Sequence, residues 1–166
     1  MAQLASFNPT TCLPAASNGA RPDLVTVSND RMYAFKLDAT TDQAFTFQFV
    51  LPRTPSGTIT LLLHGIMASA TTGSVRAQSQ IGAFTPGDST DLDTTFSLDT
   101  ANSGGSTVPG TAGYPFTVSI TVSNVDGWAV GDLVLLRINR DADQTSGTDD
   151  ASGDWYFLSG VLNDTA

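Results

Sequence analysis

The chain contains no glutamate and a single lysine, Lys36, and all sixteen of its acidic residues are aspartate. A helical protein coats its exposed faces with glutamate, lysine and other straight-chain residues, because these lose little rotamer freedom in a helix. Aspartate, threonine, serine and glycine instead suit turns and strand surfaces. Threonine is the commonest residue, with 23 copies. The composition therefore predicts a chain that is nearly all β, with aspartate marking its turns.

The apolar pattern agrees. Between Gln43 and Leu51, Phe45, Phe47, Phe49 and Leu51 alternate with Thr46, Gln48 and Val50, which places the four apolar residues on one sheet face. Phe116, Val118, Ile120 and Val122 repeat the period, and Tyr33, Phe35 and Leu37 share a face over Met32 to Leu37. Thr58 to His64 is apolar on nearly both faces, as a central strand requires. Gly73 to Ile81 alternates weakly through Val75, Ala77, Ser79 and Ile81. Further strands are predicted at Leu24 to Val27, Asp93 to Leu98, Leu133 to Ile138 and Trp155 to Leu162, and a helical turn near Asp126 to Val130. Asn102 to Gly113, with four glycines and Pro109, reads as a long loop. About eight short strands separated by Asp, Gly, Pro and Thr turns predict a jelly-roll-like antiparallel β-sandwich.

At 166 residues the chain is expected to form one sandwich domain over 23–166 and to bury roughly 70% of its unfolded surface. Residues 1–22 lack periodicity and carry Pro9, Pro14 and Pro22, with Leu4, Phe7 and Leu13 scattered between them. This segment reads as a disordered terminus or, in preference, as an extended N-terminal arm whose large apolar residues anchor on a neighbouring subunit. Cys12 is the only cysteine, so no intrachain disulfide forms. The first residues carry neither a basic start nor an apolar run, unlike a signal peptide. The longest apolar run, Ile59 to Ile66, is far short of the ~20 residues a membrane helix needs. The net charge of −9 argues against nucleic acid, whose binding rests on Lys and Arg neutralising phosphates.

No catalytic set emerges. Leu61-Leu62-Leu63-His64-Gly65 resembles the oxyanion turn of α/β-hydrolases, but that chemistry also needs a nucleophile elbow and a second histidine, and His64 is the only histidine. Asp141, Asp143, Asp149, Asp150 and Asp154 cluster as hard oxygen ligands for Ca²⁺ could. They fail the EF-hand pattern, with Ser146 and Ser152 at its glycine and glutamate positions, so a solvated hairpin loop is the competing reading. Arg137 and Arg140 precede that loop and are expected to form ion pairs that fix it or an interface. Trp128, Trp155, Tyr156 and Tyr33 read as core packing rather than a sugar platform. No cofactor is expected.

The C-terminal run Gly131-Asp-Leu-Val-Leu-Leu-Arg-Ile-Asn-Arg-Asp-Ala-Asp143, followed by Asp149-Asp-Ala-Ser-Gly-Asp-Trp-Tyr-Phe-Leu-Ser-Gly-Val-Leu162, resembles tailed-bacteriophage virion structural proteins, in particular head decoration (cement) proteins. Phe35-Lys-Leu-Asp38, Thr41-Asp-Gln-Ala44, Leu51-Pro52 and Ser69-Ala-Thr-Thr-Gly-Ser-Val75 extend the likeness over most of 32–162. The pattern departs at Arg76-Ala77, where members often carry tryptophan. The resemblance implies a jelly roll, a homotrimer and a major capsid protein as partner, on the outer surface of a virion. Leu4, Phe7, Leu13, Arg137 and Arg140 are then the candidate partner-binding residues. The alternative is a receptor- or glycan-binding head of a tail or capsid fibre.

Overall fold

The computed structural model describes residues 1–89, 91–93 and 96–165, and among these it contains eleven strands and no helix. In chain order they are β1 (Ala2–Phe7), β2 (Leu13–Pro14), β3 (Arg21–Val27), β4 (Asp30–Leu37), β5 (Ala44–Val50), β6 (Ile59–Met67), β7 (Ser74–Phe84), β8 (Asn102–Thr107), β9 (Phe116–Val122), β10 (Leu133–Arg140) and β11 (Trp155–Asp164). They form two antiparallel sheets. The first runs β3-β4-β11-β6-β9, with β1 also paired to β11, and the second runs β2-β5-β10-β7-β8.

Each sheet turns one phase of its alternation inward, as a jelly-roll sandwich requires. Phe45, Val134, Leu136, Ile138, Val75, Ala77 and Ile81 from the second sheet meet Leu61, Leu63, Val118, Ile120, Trp155 and Phe157 from the first, all of them buried. A line of stacked aromatics bridges the layers: Phe35–Phe45 at 5.1 Å, Phe45–Phe157 at 4.5 Å, Phe7–Phe157 at 5.8 Å and Phe7–Phe47 at 4.8 Å between centroids. Trp155 is fully buried, and a Cβ on Gly65 would lie 2.3 Å from its indole nitrogen. Gly65 is thus glycine to seat the indole, and His64 is a strand residue whose Nδ1 lies 2.9 Å from the Thr117 hydroxyl.

Residues 1–22 do not form a free arm. β1 pairs with β11 from Ala2↔Asp164 to Phe7↔Gly160, and Leu4 and Phe7 are buried in the core. The chain then crosses to the other layer, where Leu13 and Pro14 pair with Thr46 and Phe45. Backbone amides of Ala15 and Ala20 donate to the Ala44 carbonyl, and Ala44 donates to Asn18. The segment stitches both sheets together, so Leu4 and Phe7 are core residues rather than anchors for a partner. Leu13 alone of the three stays exposed.

Other expectations also change. Asn102–Thr107 is strand β8, not loop, and it closes the sandwich against β9. A Cβ on Gly104 would lie 2.0 Å from the Ser119 carbonyl oxygen, so glycine marks a close backbone approach rather than a flexible connection. No strand forms over the described residues of Asp93 to Leu98; residues 94 and 95 lie outside the described residues. Asp126 to Val130 makes hydrogen-bonded turns, not a helical one, with Asp126 and Gly127 at φ 53° and 62°. Tyr33 does not share the burial of Phe35 and Leu37, because β11 pairs with β4 only from Phe35 to Leu37. The far half of the β3–β4 hairpin projects beyond it and exposes Leu24, Val27, Met32 and Tyr33.

Candidate functional site on the outer face of the second sheet

The register of β5, β10 and β7 decides which residues share the solvent side of the second sheet. Residues opposite one another on neighbouring strands point the same way. Leu13, Thr46, Arg137 and Gln80 therefore form one row across β2, β5, β10 and β7. Gln48, Leu135 and Gly82 form the next, and Val50, Leu133 and Phe84 the one beyond. In the opposite direction Asn139 pairs with Gln78, which is followed by Ser103 on β8. The face is thus a strip of amides and hydroxyls that turns apolar at one end.

The apolar end is a cleft of about 290 Å³ lined by Gln48, Phe84, Leu92, Phe96, Leu133 and Leu135. Its wall comes from the β7–β8 connection, which folds back over the sheet. The Asp99 amide donates to the Ile81 carbonyl, and the Phe96 ring lies on Gly82, where a Cβ would sit 2.1 Å from its Cζ. Phe96 meets Phe84 edge-on, with centroids 5.7 Å apart. Two rings and three leucines beside an amide can take the C–H face of a ring while the amide reads its hydroxyls.

The other end is acidic. Asp42, Asp141 and Asp143 offer carboxylate oxygens within 4.8 Å of one another. Burial pushes the Asp141 carboxyl up, but the Ser146 hydroxyl and amide and the Thr145 hydroxyl outweigh it and hold it below the usual range. Asp141 also accepts from Gln78 Nε2 at 3.2 Å, so its charge is met from within the chain. Asp42 goes the opposite way: burial raises it, and the Asp143 and Asp141 charges add to the rise. A raised carboxyl costs stability above its folded pKa, and that cost vanishes below about 3.9, where it is protonated folded or unfolded. Asp42→Asn should therefore raise the melting temperature at pH 7 by roughly 1–2 °C and give no gain near pH 3.5. A fall at pH 7 would show that the cluster relies on a cation.

The remaining aspartates of the expected calcium loop are dispersed. Asp149 pairs with Arg140, Asp150 accepts the Ser74 amide at 2.7 Å, and Asp154 meets Lys36 at 2.8 Å. The five expected ligands therefore do not form one site. Arg140 does form the expected ion pair, but it is fully buried, so it fixes the loop from inside and offers nothing to a partner. Arg137 lies on the outer face, half-buried, in the same row as Leu13. Trp155 is core and Trp128 packs against it, as expected. Burial pushes the Cys12 thiol up to about 12, so at neutral pH it is a protonated core group.

The sequence reading passed over Gln48, Gln78, Gln80, Phe84 and Phe96. A signal for the first three existed: they occupy the phase opposite Phe47 in β5 and opposite Ala77 and Ser79 in β7. Phe96 falls in the strand expected at Asp93 to Leu98, which gives no signal for a site, since the residue reaches it from the connection between β7 and β8.

No family model and no curated protein matches the chain. Solved structures do. The CBM22-2 xylan-binding domain of Paenibacillus barcinonensis Xyn10C has a TM-score of 0.52 at 9% identity, over 98% of this chain and 99% of that one. CsCBM6-3 from Clostridium stercorarium, in complex with cellobiose, has 0.51 at 12% identity, over 98% and 95%. One is described as a xylan-binding domain and the other is bound to cellobiose. At these identities the likeness is one of fold, and it establishes the jelly-roll sandwich for this chain.

Proposed function

We propose that the chain is a non-catalytic glycan-binding module whose ligand lies across the outer face of the second sheet. The observation that carries this reading is the Phe84–Phe96 cleft, which Gln48 lines, continuing along the same face past Gln80 and Gln78, one amide in each of three successive rows. Stacking surface next to planar donors and acceptors is what a polyhydroxylated ring needs, because its apolar face and hydroxyl rim must both be satisfied. The sandwich holds Phe84 and the three glutamines on regular strands, so little order is lost there on binding. The solved modules of the same fold, one with cellobiose and one described as xylan-binding, support the reading.

The test is titration calorimetry against soluble oligosaccharides chosen from a glycan array. Phe96→Ala should weaken binding by about tenfold, the equivalent of about 1.4 kcal/mol. Tyr114→Ala, which alters an exposed ring outside this face, should leave it unchanged. The reverse pattern would move the site to the loops and sink the sheet-face proposal.

A second reading, a decoration protein on a phage head, keeps one physical observation in its favour. The projecting β3–β4 hairpin exposes the Leu24–Tyr33 pair on one face and Met32 and Val27 on the other, apolar surface suited to a major capsid protein or to trimer mates. The sequence resemblance supplies the virion context. Counting copies on purified heads by electron microscopy separates the two: hundreds of copies in trimers favours decoration, and none favours the glycan module.

A further inference from the structure

Arg137 is out of keeping with the other basic residues. In a chain of seven cations and sixteen carboxylates, Lys36, Arg53 and Arg140 are each paired with an aspartate. Arg76 is held by the Ser146 and Ser103 hydroxyls at 3.1 and 2.9 Å, and Arg21 and Arg31 stand in solvent. Arg137 is half-buried on the central strand of its sheet, yet among the described residues no carboxylate meets it. Its Nε is buried with no hydrogen-bond partner among the described residues.

A half-buried guanidinium with an unmet donor is costly unless something supplies the acceptor. Its neighbours on the face cannot supply a charge. Thr46 and Gln80 flank it in the row, and Leu135 and Asn139 lie above and below it on β10. Thr46 already directs its hydroxyl toward the Leu13 carbonyl, and Gln80 its amide toward the Asp99 carbonyl, both at 3.4 Å. The nearest acid along β10, Asp141, is taken by Thr145, Ser146 and Gln78.

We infer that Arg137 recognises a carboxylate on the ligand, which makes the bound glycan an acidic one containing uronic acid units. This rests on the glycan-binding reading above. Leu135 and Gln48 lie one row from Arg137, about 7 Å along the strand, so a pyranose resting toward the Leu135 end brings a ring carboxylate to the guanidinium. One isolated arginine among neutral amides matches one planar carboxylate, which a guanidinium grips with two parallel bonds. A densely sulfated or phosphorylated polymer would need clustered cations, whereas the other arginine in the outer phase of these strands, Arg76, is four residues from Gln80 along β7 and is held by Ser146 and Ser103. The net charge of −9 opposes an acidic ligand at long range, but screening confines that to about 8 Å at physiological salt.

The test is calorimetric titration of the intact chain with an oligouronate and with its carboxyl-reduced counterpart, at low and at high salt. The oligouronate should bind at least tenfold more tightly than the reduced sugar, and added salt should narrow the gap. Arg137→Gln and Arg137→Met should both lose that preference while keeping the weak binding of the reduced sugar; Arg137→Lys should retain part of it. Melting curves verify that each variant is folded, and the salt series on the unmutated chain tests the inference even if a variant is not. Equal affinity for both sugars overturns the carboxylate inference and leaves the glycan module standing. Binding of neither sugar nor any array glycan overturns both.

Discussion

Replacing Arg140 by methionine is expected to cost about 3–5 kcal/mol, because it strands a buried carboxylate. Arg140 and Asp149 are both withdrawn from solvent. The guanidinium grips both oxygens of Asp149, Nε to Oδ2 at 3.0 Å and to Oδ1 at 3.2 Å and Nη2 to Oδ1 at 2.7 Å, and gives two bonds to the carbonyls of Gly153 and Ala151, at 2.7 and 2.8 Å. Asp149 Oδ2 also accepts the Arg76 amide at 2.9 Å. One side chain therefore joins the end of β10, the connection to β11 and the start of β7. The attraction within such a pair roughly offsets the desolvation of both charges, so its loss is expensive chiefly through the partner left behind.

That argument fixes the pattern across variants. Arg140→Met and Asp149→Leu should each lower denaturant stability by several kcal/mol, whereas the double variant should recover much of the loss. Arg140→Lys keeps the charge but loses the planar fork and should fall between. Chemical unfolding of the four proteins measures the coupling. Independent, additive losses would show that the two residues do not act as a unit.

The same pair shows how far the sequence could be read. Arginine beside a run of aspartates announces an ion pair; which aspartate accepts it depends on how residues 141–154 fold back, and spacing carries no such information. The strands with one buried face were legible for a simple reason. Phe45, Phe47 and Phe49 alternate because β5 is regular along its whole length. β8 was illegible because Gly104 serves a close approach to Ser119 rather than flexibility. The outer-face site was half legible. Gln48 and Gln80 stand in the solvent phase of their strands, and such residues ordinarily mean only a wetted surface. What distinguishes them is the register that sets them beside Arg137 and the connection that lays Phe96 on Gly82.

Phe7→Ala should destabilise the fold by about 3–5 kcal/mol, lowering the melting temperature by roughly 10 °C or more. An arm docked on a partner would predict no change in the isolated chain. The difference lies in one irregularity. β1 and β11 slip in register between Gln3 and Ala5, so Leu4 and Ala5 both turn inward and the alternation that would have betrayed a strand is broken. Phe7 then stacks between Phe47 of one sheet and Phe157 of the other, with its ring over Gly160, where a Cβ would sit 2.3 Å from its Cζ. Gly160 opposite has no side chain to take the place of the ring. Removing residues 1–7 altogether should cost more still, since it also exposes the pairing edge of β11 from Gly160 to Asp164. Thermal melts of the point variant and of the truncation decide the matter. If both melt within a degree or two of the intact chain, β1 is dispensable and the free-arm reading returns.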